Sequence, residues 1–114
     1  MKTNQVRIDI GFGVGTGRTG KPLVDAVVQA GLTSIIQVAT DLFGGCTVYR
    51  TYGSWRCEKT GITHYEDGRT LTLYVKFPSK RTERDLTVLA DLIKDRLMQQ
   101  AVYIVKTPVN SQLY

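Results

Sequence analysis

Apolar and polar positions alternate from Val6 to Phe12, with Val6, Ile8, Ile10 and Phe12 on one side and Arg7 and Asp9 on the other. A period of two over this length predicts a half-buried strand. Beyond a glycine-rich stretch, Val24, Val27, Val28, Gly31, Ile35 and Val38 recur at helical spacing. Lys21-Pro22 is expected to open this helix, because proline suits a first turn. Gly44-Gly45 should end it near Leu42, and Gly31 marks a close approach or a kink. Cys46 to Tyr52 is rich in β-branched and aromatic residues and predicts a second strand. Trp55-Arg56-Cys57 continues it beyond a turn or bulge at Gly53. Leu71, Leu73 and Val75 alternate with polar positions from Thr70 to Phe77, a third strand that Pro78 stops. Leu86, Leu89, Ile93 and Leu97 form a helical stripe, widened by Val88 and Leu92. Thr82 and Asp85 resemble a capping box at its start, and its end is expected near Gln99. Val102 to Val105 reads as a short last strand, ended by Pro108.

The order is β-α-β-β-α-β, that of a ferredoxin-like α+β fold with an antiparallel sheet and two helices on one face. The other face stays open, and Tyr49, Trp55, Tyr74 and Tyr103 are candidates for it. An aromatic sheet face serves as a dimer interface or a ligand platform. A homo-oligomer, a dimer or a trimer of dimers, is therefore expected. The 114 residues form one domain, 1–114.

Hydrophobic residues make up 42% and charged residues 22%, ordinary values that exclude a disordered chain. No apolar run approaches the roughly 20 residues of a membrane span, so no membrane partner is expected. No secretory leader precedes the polar start of the first strand, and a cytoplasmic location follows as an expectation. Cys46 and Cys57 are expected to be free thiols, with their pairing across a hairpin left open. Together with the single His64 they are too few for a zinc site, so neither metal nor cofactor is expected. The net charge of +5 favours an anionic partner, although it also serves solubility.

The stretch Gly15-Thr16-Gly17-Arg18-Thr19-Gly20-Lys21-Pro22 completes the G-x-x-x-x-G-K pattern of a phosphate-binding loop. Pro22, however, stands where a Ser or Thr hydroxyl would hold magnesium. Gly15, Gly17 and Gly20 also match a dinucleotide fingerprint, but two strands follow the first helix directly and break the repeated βαβ order that fold needs. What survives is a loop able to aim backbone N–H groups at an anion beside a helix start. Gly17, Arg18, Thr19 and Lys21 are its candidate phosphate ligands. The alternative is a flexible connection whose glycines only allow tight turning.

Arg56, beside Trp55, is a second candidate for a phosphate, or else pairs with Glu58 or Glu66 across strands. His64 has no nucleophile or metal set to serve. Lys80, Arg81 and Arg84 cluster at a helix start and read as a solvated loop. Glu66 and Asp67 are expected in a turn; in a strand they would face opposite sides, which argues against a paired acid–base site. Phe77, Tyr103 and Lys106, near sheet ends, are assigned to a second site that stacks an adenine. The RNA-binding run of glycine and aromatics is absent from Thr70 to Phe77, so a nucleic-acid partner is not expected.

Several segments together resemble the phage anti-Thoeris sponge proteins of the first type. These are Ile8-Asp9-Ile10-Gly11-Phe12-Gly13, the loop through Gly20, Asp41 to Thr47, Gly53-Ser54-Trp55 and Gln99 to Ile104. The resemblance implies a protein that sequesters cyclic ADP-ribose isomers, with cyclic trinucleotides held by some members at a separate site of a higher oligomer. It implies immune evasion in the host cytoplasm, without catalysis. Phe43-Gly44-Gly45 and Gln99 to Ile104 are also similar to a broader group of small bacterial proteins of unknown function, often exported. The missing leader favours the phage group. A small phosphodiesterase or isomerase using His64, and an RNA-binding domain, are the alternative functions.

Overall fold

The structure is a computed structural model and describes residues 2–112. Its elements are β1 (Lys2–Gly13), α1 (Asp25–Phe43), β2 (Thr47–Arg56), β3 (Thr63–Val75), α2 (Lys80–Arg96) and β4 (Tyr103–Gln112). The four strands form one antiparallel sheet in the order β2-β3-β1-β4. This is the predicted β-α-β-β-α-β fold, with both helices on one face.

The alternation in β1 decides which face the helices cover. Ile8, Ile10 and Phe12 are buried, as are Leu71 and Leu73, which stand opposite Ile10 and Ile8 in β3. Above them α1 lays Val28, Leu32, Ile35 and Ala39, and α2 lays Leu86, Leu89 and Ile93. Burying an apolar stripe of this kind contributes about 1.5–3 kcal/mol per large side chain. By length and composition α1 could cross a membrane, yet this stripe is the side that closes the core. Gly31 is where the helices meet: a Cβ there would stand 2.8 Å from Cδ2 of Leu97, so the expected close approach is real.

Several boundaries differ from the sequence reading, each for a physical reason. Helix α1 begins at Asp25 rather than at Lys21-Pro22. Pro22 instead forms a bridge with Thr16, and Leu23 N–H donates to Gly15 O at 2.9 Å. Helix α2 is capped by Ser79, with the Ser79 N–H donating to Thr82 Oγ1 at 3.0 Å, so Thr82 is the third helical residue and not the cap. Strand β3 starts seven residues before Thr70, because Thr63 to Arg69 pairs with β2 in a ribbon that no apolar alternation marks. Strand β4 runs past Pro108 to Gln112, which an edge strand tolerates. Residues 113 and 114 of the tail lie outside the described residues.

The outer half of the β2–β3 ribbon projects beyond the helices and is exposed on both faces from Tyr52 to Arg56. It gives the molecule a long axis of 50 Å against 30 and 27 Å for the others.

Candidate functional site

The open sheet face carries two unlike halves. Toward one end lies a polar network. The Arg7 guanidinium donates from Nε to both Asp9 oxygens at 3.2 and 3.1 Å, and Thr72 Oγ1 donates to Asp9 Oδ1 at 2.5 Å. Tyr49 OH is 3.5 Å from the same hydroxyl. The hydrogen bond to Asp9, and then its charge, hold the Arg7 pKa above its ordinary value. Tyr49 and Tyr74 flank this network and are exposed.

Toward the other end the side chains disappear. Register places Gly11 beside Tyr103, Gly13 opposite Gly68, and Gly53 opposite Glu66. Four glycines on three adjacent strands therefore make a floor of bare backbone. The absence of a side chain is enforced by backbone at Gly68, and at Gly13 the space is taken by the Glu66 side chain. A Cβ on Gly68 would stand 2.8 Å from Thr51 Oγ1 and 2.9 Å from Phe12 O, and one on Gly13 would stand 2.0 Å from Glu66 Oε1. Trp55 and Tyr103 rise at the sides, 53% and 80% exposed.

The resulting hollow has a volume of about 480 Å³. It shares Trp55, Glu66, Gln99 and Ala101 with an adjoining hollow of about 410 Å³ that reaches Arg18 and His64. Each lies in the size range of small-molecule sites. Trp55 and His64 stack across the ribbon, ring centres 4.4 Å apart and planes 17° from parallel; both line the smaller hollow, and Trp55 also lines the larger. Among the charged residues lining the larger hollow are Glu66 and Asp67 but no Lys or Arg; the cationic side chain belongs to the smaller.

The far side is held by the end of α2. Met98 sits in the left-handed region at φ 50°, a conformation that costs a side-chain-bearing residue about 1–2 kcal/mol. That turn aims its carbonyl at the Arg18 N–H, 2.5 Å away, and delivers Gln99 into the groove. Gln99 Nε2 donates to Thr16 O and Leu97 O, both at 2.9 Å. The glycine loop, the helix end and the sheet floor are thereby tied together.

This geometry changes the role of the loop. The amides of Gly17, Arg18 and Gly20 donate to Lys21 O, Met98 O and Gly17 O. They are committed to holding the loop shut, so the expected open cradle of N–H groups does not form with them. The later start of α1 also removes the helix from the loop's end. Arg18 nonetheless borders the groove, its Nη1 donating to Lys94 O at 3.3 Å. Gly17 lines the same hollow, whereas Thr19 and Lys21 are exposed outside it.

The other expected positions separate. Arg56 is opposite Thr63 near the ribbon tip, on the face away from Trp55, so the two cannot share one ligand there. Phe77, Tyr103 and Lys106 do not converge. Tyr103 stands beside Gly11 on the open face, while Phe77 follows β3 past Val75, which pairs with Val6 at the opposite end of β1. Lys106 is opposite Ile8 on the helix side and forms an ion pair with Glu83. Of the expected ligand positions, Tyr103 lines the larger hollow, and Gly17 and Arg18 line the adjoining one. Gly11, Gly13, Gly53, Gly68, Glu66 and Gln99 were not expected there. For Gly11 and Gly53 the available signal was glycine in or beside a strand-like stretch, which marks close backbone approach; Glu66, Gly68 and Gln99 carried none.

Cys46 and Cys57 are both free. Burial raises the Cys46 pKa; a hydrogen bond from the Thr60 side chain lowers that of Cys57. Among the described residues no group of His, Cys, Asp and Glu could hold a metal ion.

Comparison with known proteins agrees with the fold. Residues 7–113 match the family described as "Protein of unknown function (DUF3574)", and the chain belongs to that family. No curated protein matches its sequence. Among solved structures it is similar to a phage SAM lyase in complex with S-methyl-5′-thioadenosine, at 12% identity and TM-score 0.59, over 98% of this chain and 92% of that one. It is also similar to the periplasmic divalent cation tolerance protein CutA from Archaeoglobus fulgidus, at 10% identity and TM-score 0.54, covering 92% and 83%. A third likeness is to the GlnK–ATP complex of B. subtilis, at 9% identity and TM-score 0.52, covering 91% and 82%.

Proposed function

We propose that this member of the DUF3574 family binds a nucleotide signal in the glycine-floored groove and holds it without turnover. One observation carries the reading: four glycines open a flat floor beside the stacked Trp55–His64 pair, and Arg18 stands at the groove's other end. A planar base fits over bare backbone next to an aromatic wall, and a phosphate fits the cationic end. Two of the similar structures hold an adenosine compound, S-methyl-5′-thioadenosine or ATP, which supports the choice of a nucleoside. The resemblance to phage sponge proteins supports cyclic ADP-ribose isomers, glycocyclic ADP-ribose in particular, with cyclic trinucleotides as a second class. Capture of such a signal would block bacterial anti-phage defence in the host cytoplasm.

Titration calorimetry with glycocyclic ADP-ribose, cyclic triadenylate and S-methyl-5′-thioadenosine tests this reading. Saturable binding of at least one is expected, with the ligand recovered intact after heat denaturation of the complex. A chemically altered ligand would instead make the protein an enzyme. Arg18→Ala should weaken a phosphate-bearing ligand by about 1.5–3 kcal/mol if the contact is direct. Arg56→Ala should change nothing in this groove. The remaining open face, with Tyr49, Tyr74 and Val105 exposed, is expected to be covered in a homo-oligomer. Light scattering at the monomer mass would remove that expectation.

A further inference from the structure

Two hydrogen-bond acceptors meet over the glycine floor with no donor between them. Glu66 Oε1 is 2.0 Å, and Gln99 Oε1 3.0 Å, from the point where a Cβ on Gly13 would stand. The carboxylate thus lies directly on the backbone of Gly13, in the space that the missing side chain leaves. Gln99 cannot turn its amide to offer a donor there. Its Nε2 is held by Thr16 O and Leu97 O, which leaves Oε1 as the atom directed into the groove. Among the described residues, no protein donor bonds the Glu66 carboxylate, and no cation pairs with it. Two converging acceptors, one of them charged, repel each other unless something donates between them. They also repel a phosphate.

We infer that Glu66 and Gln99 recognise an exocyclic amino group on the ring that occupies the floor, and so set the ligand class as an aminopurine. An amino group carries two N–H bonds. One reaches the Glu66 carboxylate and the other Gln99 Oε1. The ring then lies on the floor beside Gly13, which the Glu66 carboxylate already covers, between Trp55 and Tyr103, with its sugar and phosphate leaving toward Arg18. A ring with a carbonyl at that position presents an acceptor to two acceptors and is rejected. Rejection of this kind is strong because the site's own polar groups would be left unpaired. Glu66 and Gln99 are specificity residues here and take no part in any bond-making step.

This inference rests on the groove being a nucleoside site, and the experiment separates the two. S-methyl-5′-thioadenosine and its inosine counterpart, which differ only at the amino position, are titrated against the full chain. The adenosine compound should bind at least tenfold more tightly. Glu66→Gln, which keeps the shape but offers a donor, should reduce that preference to less than threefold while the circular dichroism and melting temperature stay unchanged. Equal affinity of the wild-type chain for the two compounds would overturn the amino-group inference and leave the groove reading intact. An unaltered preference in Glu66→Gln, with the variant folded, would remove Glu66 from recognition. Failure of both compounds to bind, with no change in Trp55 fluorescence, would overturn both readings together.

Discussion

Two glycine-rich regions of this molecule use the same residue for opposite ends. In the loop from Gly15 to Gly20, glycine serves the backbone's conformation: Gly20 has φ 82°, and a Cβ there would meet nothing within 4 Å. The loop is closed by carbonyls of Gly17, Lys21 and Met98. On the sheet, Gly13 and Gly68 serve by the room they leave to their neighbours, since a Cβ on either would strike one. The loop is a fastening, and the floor is the surface proposed to receive the ligand. Clustered glycine is therefore no guide to an anion cradle until its amides have been followed to their acceptors.

Variants can break or sharpen this contrast. The largest effect is expected from Gly68→Val. It forces a side chain against Thr51 and the Phe12 carbonyl, and overpacking of this kind costs about 1–3 kcal/mol. Chemical denaturation should show that loss, and calorimetry should show no residual nucleoside binding. Wild-type affinity in a folded Gly68→Val chain would mean the floor is not the site. Trp55→Ala comes next for binding. Removing an aromatic stacking partner should weaken a nucleoside by about 1–3 kcal/mol, with stability changed by less than about 0.5 kcal/mol at this exposed position. Gly20→Ala strains a left-handed residue and should cost about 1–2 kcal/mol of stability, with nucleoside affinity in the folded fraction unchanged. A drop in affinity would return the loop to the binding surface.

The smallest effect concerns the thiols. The Thr60 side chain lowers the Cys57 pKa, whereas burial raises that of Cys46. Below the ordinary thiol range Cys57 therefore carries more thiolate, and alkylation followed by mass spectrometry should label it first. Thr60→Ala should narrow the difference. Equal rates in the wild-type chain would contradict the hydrogen bond.

The fold was legible wherever burial imposes a period. Ile8, Ile10 and Phe12, Leu71 and Leu73, and Leu86, Leu89 and Ile93 all lie in the core that their spacing predicts. The open face with Tyr49, Trp55, Tyr74 and Tyr103 was legible for the same reason, as the other side of the alternation. The stretch from Thr63 to Arg69 was not, because a ribbon exposed on both faces imposes no pattern on its residues. Its misreading as a loop hid the site: Glu66 and Gly68 gain their places only through pairing with Gly53 and Gly13. Pro22 misled locally, since its fit to a first helical turn was overridden by the bridge to Thr16. Gln99 was invisible as a site residue because it depends on the strained turn at Met98, a tertiary effect.

The projecting ribbon has a mechanical consequence. A two-stranded ribbon without a packed layer beneath it is only marginally stable and twists more freely than a sheet backed by helices. Trp55 and His64 stand on that unbacked part, whereas Gly11 lies in β1 between two neighbouring strands and above the core. The aperture of the groove is thus compliant at its wall and rigid at its base. Torsion of the ribbon sets how wide the entrance stands, and the depth stays constant. If the groove holds the proposed nucleoside, ligands of different bulk would enter through one entrance while the ring rests against the rigid part of the floor at Gly11.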